Sequence, residues 1–461
     1  MDKRQITLVI AGLVAAVVVW LVLRGPVGLS GQAAWCAAVT VICAVWWVTE
    51  PIPIPATSLI PFAAFPLTGV LDHTEVATSY GHSLILLLLG GFMLSTAMEK
   101  SGAHRRLALG MVRLVGGVGG RRLVLGFMVA SAVLSMWISN TATTLMLLPV
   151  ALAVLEQQSD EKLAAPLLLG MAYAASVGGI GTPVGTPPNV IFMGVYYEET
   201  GKEVSFAKWM TIGVPVVLVM VPIIWLWLTR GLGKAKEKLE LPASGPWRTA
   251  EARVLVVFGI TALLWVTRKE PFGGWSGLIG ATGTGDATVA LLAVVAMFLV
   301  PDGEGSTLLD WDTARRIPWG LLILFGGGIA IARGFGESGL SKALGDALSA
   351  LASWPLLAML IVLCLSVTFL TEVTSNTATT SLLMPILAAA AIAASIDPRT
   401  LMIPAAISAS CAFMLPVATA PNAIVFGTDR FPTRKMASEG FALNLFGAVA
   451  ITLVCFFLLP R

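Results

Sequence analysis

The chain has 461 residues, of which 57% are hydrophobic and only 12% charged. That balance excludes an ordinary soluble globular domain and makes the bilayer the solvent. The formal charge of +3 calls for no nucleic-acid partner, because the basic residues sort into loops as they do in a membrane protein.

Apolar runs near the ~18 residues that suggest a membrane helix begin at 6–23 and recur at 33–48, 83–98, 209–228 and 254–266. The first lacks a small-residue cleavage site and is followed by many others, so it reads as a retained helix that also signals insertion, not as a secretory peptide. After the second run, Glu50 stands among Pro51, Pro53 and Pro55 and marks a helix end at the interface. His73, His82 and His104 fall at the ends of apolar runs, where a polar ring reaches interfacial water. The cysteines Cys36, Cys43, Cys364, Cys411 and Cys455 lie singly inside apolar runs, without metal or redox spacing, and read as packing residues. Trp225, Trp227 and Trp265 lie near predicted helix ends and read as aromatic anchors.

Most of the 29 basic residues fall on one side of the resulting topology: Lys3, Arg4, the segment 100–122, Lys162, the segment 230–253, Arg315, Arg316 and the segment 430–435. That side is expected to be cytoplasmic, with the N-terminus inside, the C-terminus outside and an odd number of crossings.

The hexapeptide SNTATT occurs at 139–144 and again at 375–380. Each copy has a proline ten residues after its serine, Pro149 and Pro385, and each is followed by a related tetrapeptide, TPPN at 186–189 and TAPN at 419–422. Upstream, Gly90 and Gly91 leading to Glu99 match Gly326, Gly327 and Gly328 leading to Glu337. The chain therefore contains itself twice, and the charge-derived topology makes the two copies inverted. The arms around the first copy, 123–138 and 142–155, reach roughly 24 and 21 Å at ~1.5 Å per residue, short of the ~30 Å hydrocarbon core. They are expected to form a re-entrant hairpin with Ser139, Asn140 and Thr141 at its tip, opposed by a second hairpin entering from the other face.

The segment 178–189, GGIGTPVGTPPN, lies in a long apolar stretch but carries too many prolines and glycines for one continuous helix. MLPVATAPN at 414–422 repeats the break. Broken helices in a bilayer are tolerated where their freed backbone groups face a cavity or ligand. Hydroxyls, amide oxygens and freed carbonyls form a ligand set suited to a hard monovalent cation, sodium rather than calcium or zinc. A helix N-terminus at each tip suits an anion, and two of them suit a molecule with two negative ends.

Paired SNT motifs, the GTPPN and ATAPN breaks, and WVTEPIPIPATSLIP at 47–61 resemble the divalent anion/sodium symporter family, which includes sodium-coupled dicarboxylate and citrate carriers. The resemblance covers nearly the whole chain. It implies an all-α integral membrane protein of about eleven transmembrane helices, two opposed re-entrant hairpins and an elevator-type homodimer, importing C4 dicarboxylates with co-transported sodium across the cytoplasmic membrane. The implied organisation is scaffold helices at 1–82 and 201–318 and transport parts at 83–200 and 319–430, with a C-terminal transmembrane helix at 431–461. The first transport part holds hairpin 123–156 and broken helix 163–195, the second hairpin 355–394 and broken helix 399–427.

The resemblance also implies the site residues. One sodium would meet Ser135, Ser139, Asn140 and the carbonyl of Gly185; the other Thr371, Thr374, Ser375, Asn376 and the carbonyl of Ala418. Substrate carboxylates would meet Asn140, Thr141 and Thr186 on one side and Asn376, Thr377 and Thr419 on the other. Ala420 departs from the second proline expected there, which bears on substrate preference rather than fold. Glu372, the one acid in a hairpin arm, reads either as a proton-coupling group or as a carboxylate bonded to backbone amides. An embedded hydrolase with Ser139 or Ser375 as nucleophile lacks a partner base near either motif in sequence. A channel would need a symmetric pore. An exchanger, or a carrier of sulfate or citrate, is the closest alternative.

Overall fold

The computed structural model describes residues 2–116, 119–157, 161–232, 245–270, 273–348 and 354–459. Of the basic segment 230–253, residues 233–244 lie outside the described residues. Apart from one isolated bridge between Pro301 and Thr307, the described regular structure is helical. Nine described helical segments are long and apolar enough to cross a membrane, from Lys3–Arg24 to Thr433–Leu458. The first presents Ile10, Val14, Val17, Val18 and Leu21 outward, each about half exposed or more, a surface that lipid solvates and water would not. The five cysteines are buried and unpaired, as packing residues should be.

The order of elements repeats. Ser83–Ser101 ends at Gly102 and Trp319–Ser338 at Gly339, both left-handed with φ near 79° and 76°, a conformation that glycine adopts without a Cβ penalty. A shorter helix follows each, Ala103–Gly116 and Leu340–Leu348, and then a hairpin.

The first hairpin pairs Gly120–Ser135 with Asn140–Glu156, the second Leu356–Thr371 with Asn376–Ala393. Arms of 16, 17, 16 and 18 residues reach roughly 24 to 27 Å at ~1.5 Å per residue. Each serine of SNT caps its returning helix: Ser139 Oγ accepts from Ala142 N at 3.1 Å and Ser375 Oγ from Ala378 N at 3.4 Å.

Both broken helices are broken. Ala164–Gly178 passes through a 3₁₀ turn and an unwound stretch before Pro187–Thr200 resumes. Arg399–Ala409 unwinds likewise before Ala420–Phe426. The halves interlock at these resumed helices, because Pro187–Thr200 packs on Asn376–Ala393 and Ala420–Phe426 packs on Asn140–Glu156.

Trp225 and Trp227 sit at the end of Phe206–Leu228, beside Arg121 and Arg230. Trp265 is no anchor at a membrane surface: it is 1% exposed, donates to Asp286 O at 2.9 Å and stacks on Phe206. Its place at the end of an apolar run suggested an interface, but the neighbouring helix Asp286–Leu299 covers it.

Candidate functional site

Both hairpin tips and both helix breaks line one cavity of about 690 Å³. Of the residues expected from sequence, Ser139, Asn140, Thr141, Gly185, Thr186, Thr374, Ser375, Asn376, Thr377, Ala418 and Thr419 line it. Ser135 and Thr371 do not; both are wholly buried beneath the tips. Around the cavity four helices begin, with Ser139, Thr186, Ser375 and Thr419 as N-caps. The free first-turn amides belong to the two SNT tips, at Asn140, Thr141, Asn376 and Thr377, whereas Pro187, Pro188 and Pro421 bring no N–H to the break helices. Among the described residues the one ionisable side chain lining it is Glu50, which ends Gly31–Thr49 in a left-handed conformation, and no described lysine or arginine does.

In the first half Ser135 Oγ lies 2.5 Å from Asn140 Oδ1. A Cβ built on Gly179 would fall 2.8 Å from Asn140 Oδ1 and 2.9 Å from Gly185 O. Two of the expected sodium oxygens therefore face a single small space that only glycine leaves open. The counterpart of Gly179 in the second half is Ala412, so that half is built differently. There Asn376 Oδ1 is buried and without a partner among the described residues. Thr374 Oγ1 donates to Leu370 O at 2.8 Å or shares a proton with Thr379 Oγ1 at 2.7 Å. Thr371 Oγ1 donates to Thr368 O. A buried amide oxygen with no donor is costly unless a cation or donor meets it.

The halves also tie break to tip by different chemistry. In the first, the Thr182 hydroxyl in the break donates to the Met136 carbonyl at the tip. In the second, the tip position of Met136 is taken by Glu372 and the break position of Thr182 by Leu415. Glu372 Oε1 accepts from Phe413 N, Met414 N and Asn444 Nδ2 at 2.7, 2.9 and 2.7 Å, and Oε2 accepts from Leu415 N at 3.0 Å. Of the two readings left open for this acid, the geometry is that of the carboxylate bonded to backbone amides.

Several contributors were not foreseen. Glu50, Ser95, Trp137 and Val417 line the cavity from positions whose sequence carries no ligand signal. His104 and Ser139 share a neighbouring cavity of about 650 Å³ with Arg105 and Arg316, so a histidine does come near one SNT motif. No hydrogen bond joins them: His104 Nδ1 pairs with Met98 O, while Ser139 Oγ is held by its cap. Burial lowers the His104 pKa and favours the neutral ring.

A profile of the sodium:sulfate symporter transmembrane region matches residues 3–458. The chain is 41% identical over 467 residues to a sodium-dependent dicarboxylate transporter, SdcS, of Staphylococcus saprophyticus, covering 96% of this chain and 89% of that one. It is 40% identical over 459 residues to its namesake in Staphylococcus aureus, covering 94% and 88%. Among solved structures, the YdaH transporter of Alcanivorax borkumensis superposes with a TM-score of 0.60 at 16% identity, over 84% of this chain and 88% of that one. MtrF of Neisseria gonorrhoeae, described with a class of antimetabolite efflux pumps, gives 0.62 at 13% identity over 94% and 96%. The last two are likenesses of fold.

Proposed function

The chain belongs to the sodium:sulfate symporter family, and we propose that it imports small C4 dicarboxylates, of the succinate, fumarate or malate type, together with sodium. The observation that carries this reading is the one cavity shared by both SNT tips and both breaks, lined by hydroxyl, amide and carbonyl oxygens and one acid, Glu50, with no basic side chain among its described lining residues. A helix terminus favours an anion by at most ~2 kcal/mol, whereas withdrawing charge from water costs several kcal/mol per ion. Cations bound beside the anion supply the difference, so binding of the two is coupled. The names of the relatives at 40–41% identity support the same cargo.

In this reading one sodium is held by Ser135, Ser139, Asn140 and the Gly185 carbonyl, and a second by Thr371, Thr374, Ser375, Asn376 and the Ala418 carbonyl. Asn140, Thr141 and Thr186 meet one end of the dicarboxylate; Asn376, Thr377 and Thr419 meet the other. Ser135 and Thr371 act from beneath the tips. The two halves form an inverted repeat, the short-armed hairpins are re-entrant, and hairpins and broken helices move as one body against a scaffold in each subunit of a homodimer. The N-terminus is cytoplasmic and the C-terminus outside. The chain is a carrier and not an enzyme.

The test is uptake by proteoliposomes. An inward sodium gradient should drive concentrative succinate uptake, and equal uptake with choline in place of sodium would refute symport in favour of exchange. Competition by citrate and sulfate in the same vesicles defines the anion range.

A further inference from the structure

The last residue of each break motif, Asn189 of TPPN and Asn422 of TAPN, is wholly buried and lies outside the expected ligand sets. Asn189 Nδ2 donates to Gly179 O at 3.0 Å and to Thr182 O at 2.8 Å. Asn422 Nδ2 donates to Ala412 O at 3.0 Å and to Leu415 O at 3.1 Å. The pattern is the same in both halves, residue for residue. Each amide nitrogen has two hydrogens, and two carbonyls on opposite sides of an unwound turn take both.

One of those carbonyls has a second task. Thr182 O also accepts from Gly185 N at 3.3 Å, and Leu415 O also accepts from Ala418 N at 3.2 Å. The asparagine and the peptide N–H of the carbonyl-bearing site residue thus converge on one oxygen. The other carbonyl touches the same residue in the first half, where a Cβ on Gly185 would lie 2.4 Å from Gly179 O. A helix that stops midway leaves several carbonyls free to turn toward the cavity. The asparagine engages two of them, and neither is the carbonyl of Gly185 or Ala418, the two residues of the breaks that line the cavity and are expected at sodium. Neither Oδ1 has a hydrogen-bond partner among the described residues, so the donor end of the amide is the part that holds the backbone.

We propose that Asn189 and Asn422 are matched positioning residues, each orienting the one backbone carbonyl, of Gly185 or of Ala418, that its half contributes to sodium. This rests on the reading that sodium binds at the two tips. Each asparagine acts through its amide nitrogen, fixing the unwound turn that leads into the residue whose carbonyl meets the ion.

The decisive variants are Asn189→Asp and Asn422→Asp, which keep the shape but put a carboxyl, with at most one donor hydrogen, in place of the two N–H donors, alongside Asn189→Ala and Asn422→Ala. Purified protein is titrated with sodium, without substrate, following its thermal stabilisation, and uptake is measured with sodium and with lithium. Each Asp variant should raise half-saturating sodium about tenfold or more, the scale of the one or two hydrogen bonds lost, and should change the lithium-to-sodium ratio. A packing role alone would lower the melting temperature without sodium, leave both quantities at wild-type values, and be rescued by Asp relative to Ala; that result overturns the proposal. Where a variant fails to fold, the matching Ser variant, which keeps one shorter donor, is read by the same lithium-to-sodium ratio, and an unchanged ratio there also overturns it. Asn140→Ala separates the two readings. If it raises half-saturating sodium while the Asp variants do not, only the positioning role fails; if none does, the sodium site itself fails.

Discussion

Replacing Gly179 by alanine places a methyl group where sodium is expected to meet its first-half ligands. The new Cβ would stand 2.8 Å from Asn140 Oδ1, 2.9 Å from Gly185 O and 3.1 Å from the Thr186 Cβ, against the 3.4–4 Å of ordinary contact. Both oxygens must retreat by several tenths of an ångström, and neither is the loose end of a long side chain. Overpacking of this kind costs about 1–3 kcal/mol. At ~1.4 kcal/mol per factor of ten, half-saturating sodium should rise between about fivefold and about a hundredfold. Linkage then requires succinate affinity at subsaturating sodium to fall by the same factor and to recover as sodium is raised. The second half supplies the control: Ala412 already carries its methyl, so Ala412→Gly should alter sodium dependence little. The assay is initial-rate uptake in proteoliposomes over a matrix of sodium and succinate concentrations. Wild-type sodium half-saturation in Gly179→Ala protein that reconstitutes normally would refute the placement of the first ion.

Asn140→Ala and Asn376→Ala should each weaken substrate binding roughly ten- to a hundredfold, the scale of one lost hydrogen bond to a charged group, with partial rescue by raised sodium; a mutant with unchanged dependence removes its half from the site. Glu372→Gln sets an N–H against an amide N–H of the second break and should lower thermal stability by about 1.5–3 kcal/mol. Because the carboxylate's donors are backbone and Asn444 amides, uptake should acidify no vesicle lumen beyond the leak; sodium-driven uptake with stoichiometric proton entry, abolished in the Gln variant, would refute the structural role. A cysteine at position 244 should react with an impermeant reagent from the cytoplasmic face alone, over a background of five buried native thiols, and labelling from outside intact cells would reverse the proposed orientation.

The architecture of the site was legible because duplication wrote it twice. SNTATT, the following proline and the TPPN and TAPN breaks gave tips, capping serines and unwound stretches at the right positions, since serine caps and proline–glycine clusters act locally. What could not be read depends on which groups meet across the fold. Gly179 looks like any glycine of a loose stretch until Asn140 and Gly185 are seen around it. The asparagines ending each break stood inside the quoted motifs, yet their donors grip carbonyls whose direction no local pattern encodes. Trp265 was misread because a run's end in sequence does not say which helix covers it. Glu372 remained open between two roles until three amides of the break and Asn444 were found on its oxygens.

That carboxylate has a consequence for energetics as well as for shape. A carrier of the proposed kind takes its second hairpin through part of the membrane field, and Glu372 rides with it together with the three break amides on its oxygens, which bring dipoles but no net charge. A unit charge crossing the full field feels about 2.3 kcal/mol for each ~100 mV. Glu372 would then make one contribution to the voltage dependence of the unloaded return step, beside those of the other charged residues that travel with it, and the first half, with Met136 in the matching place, makes none at that position.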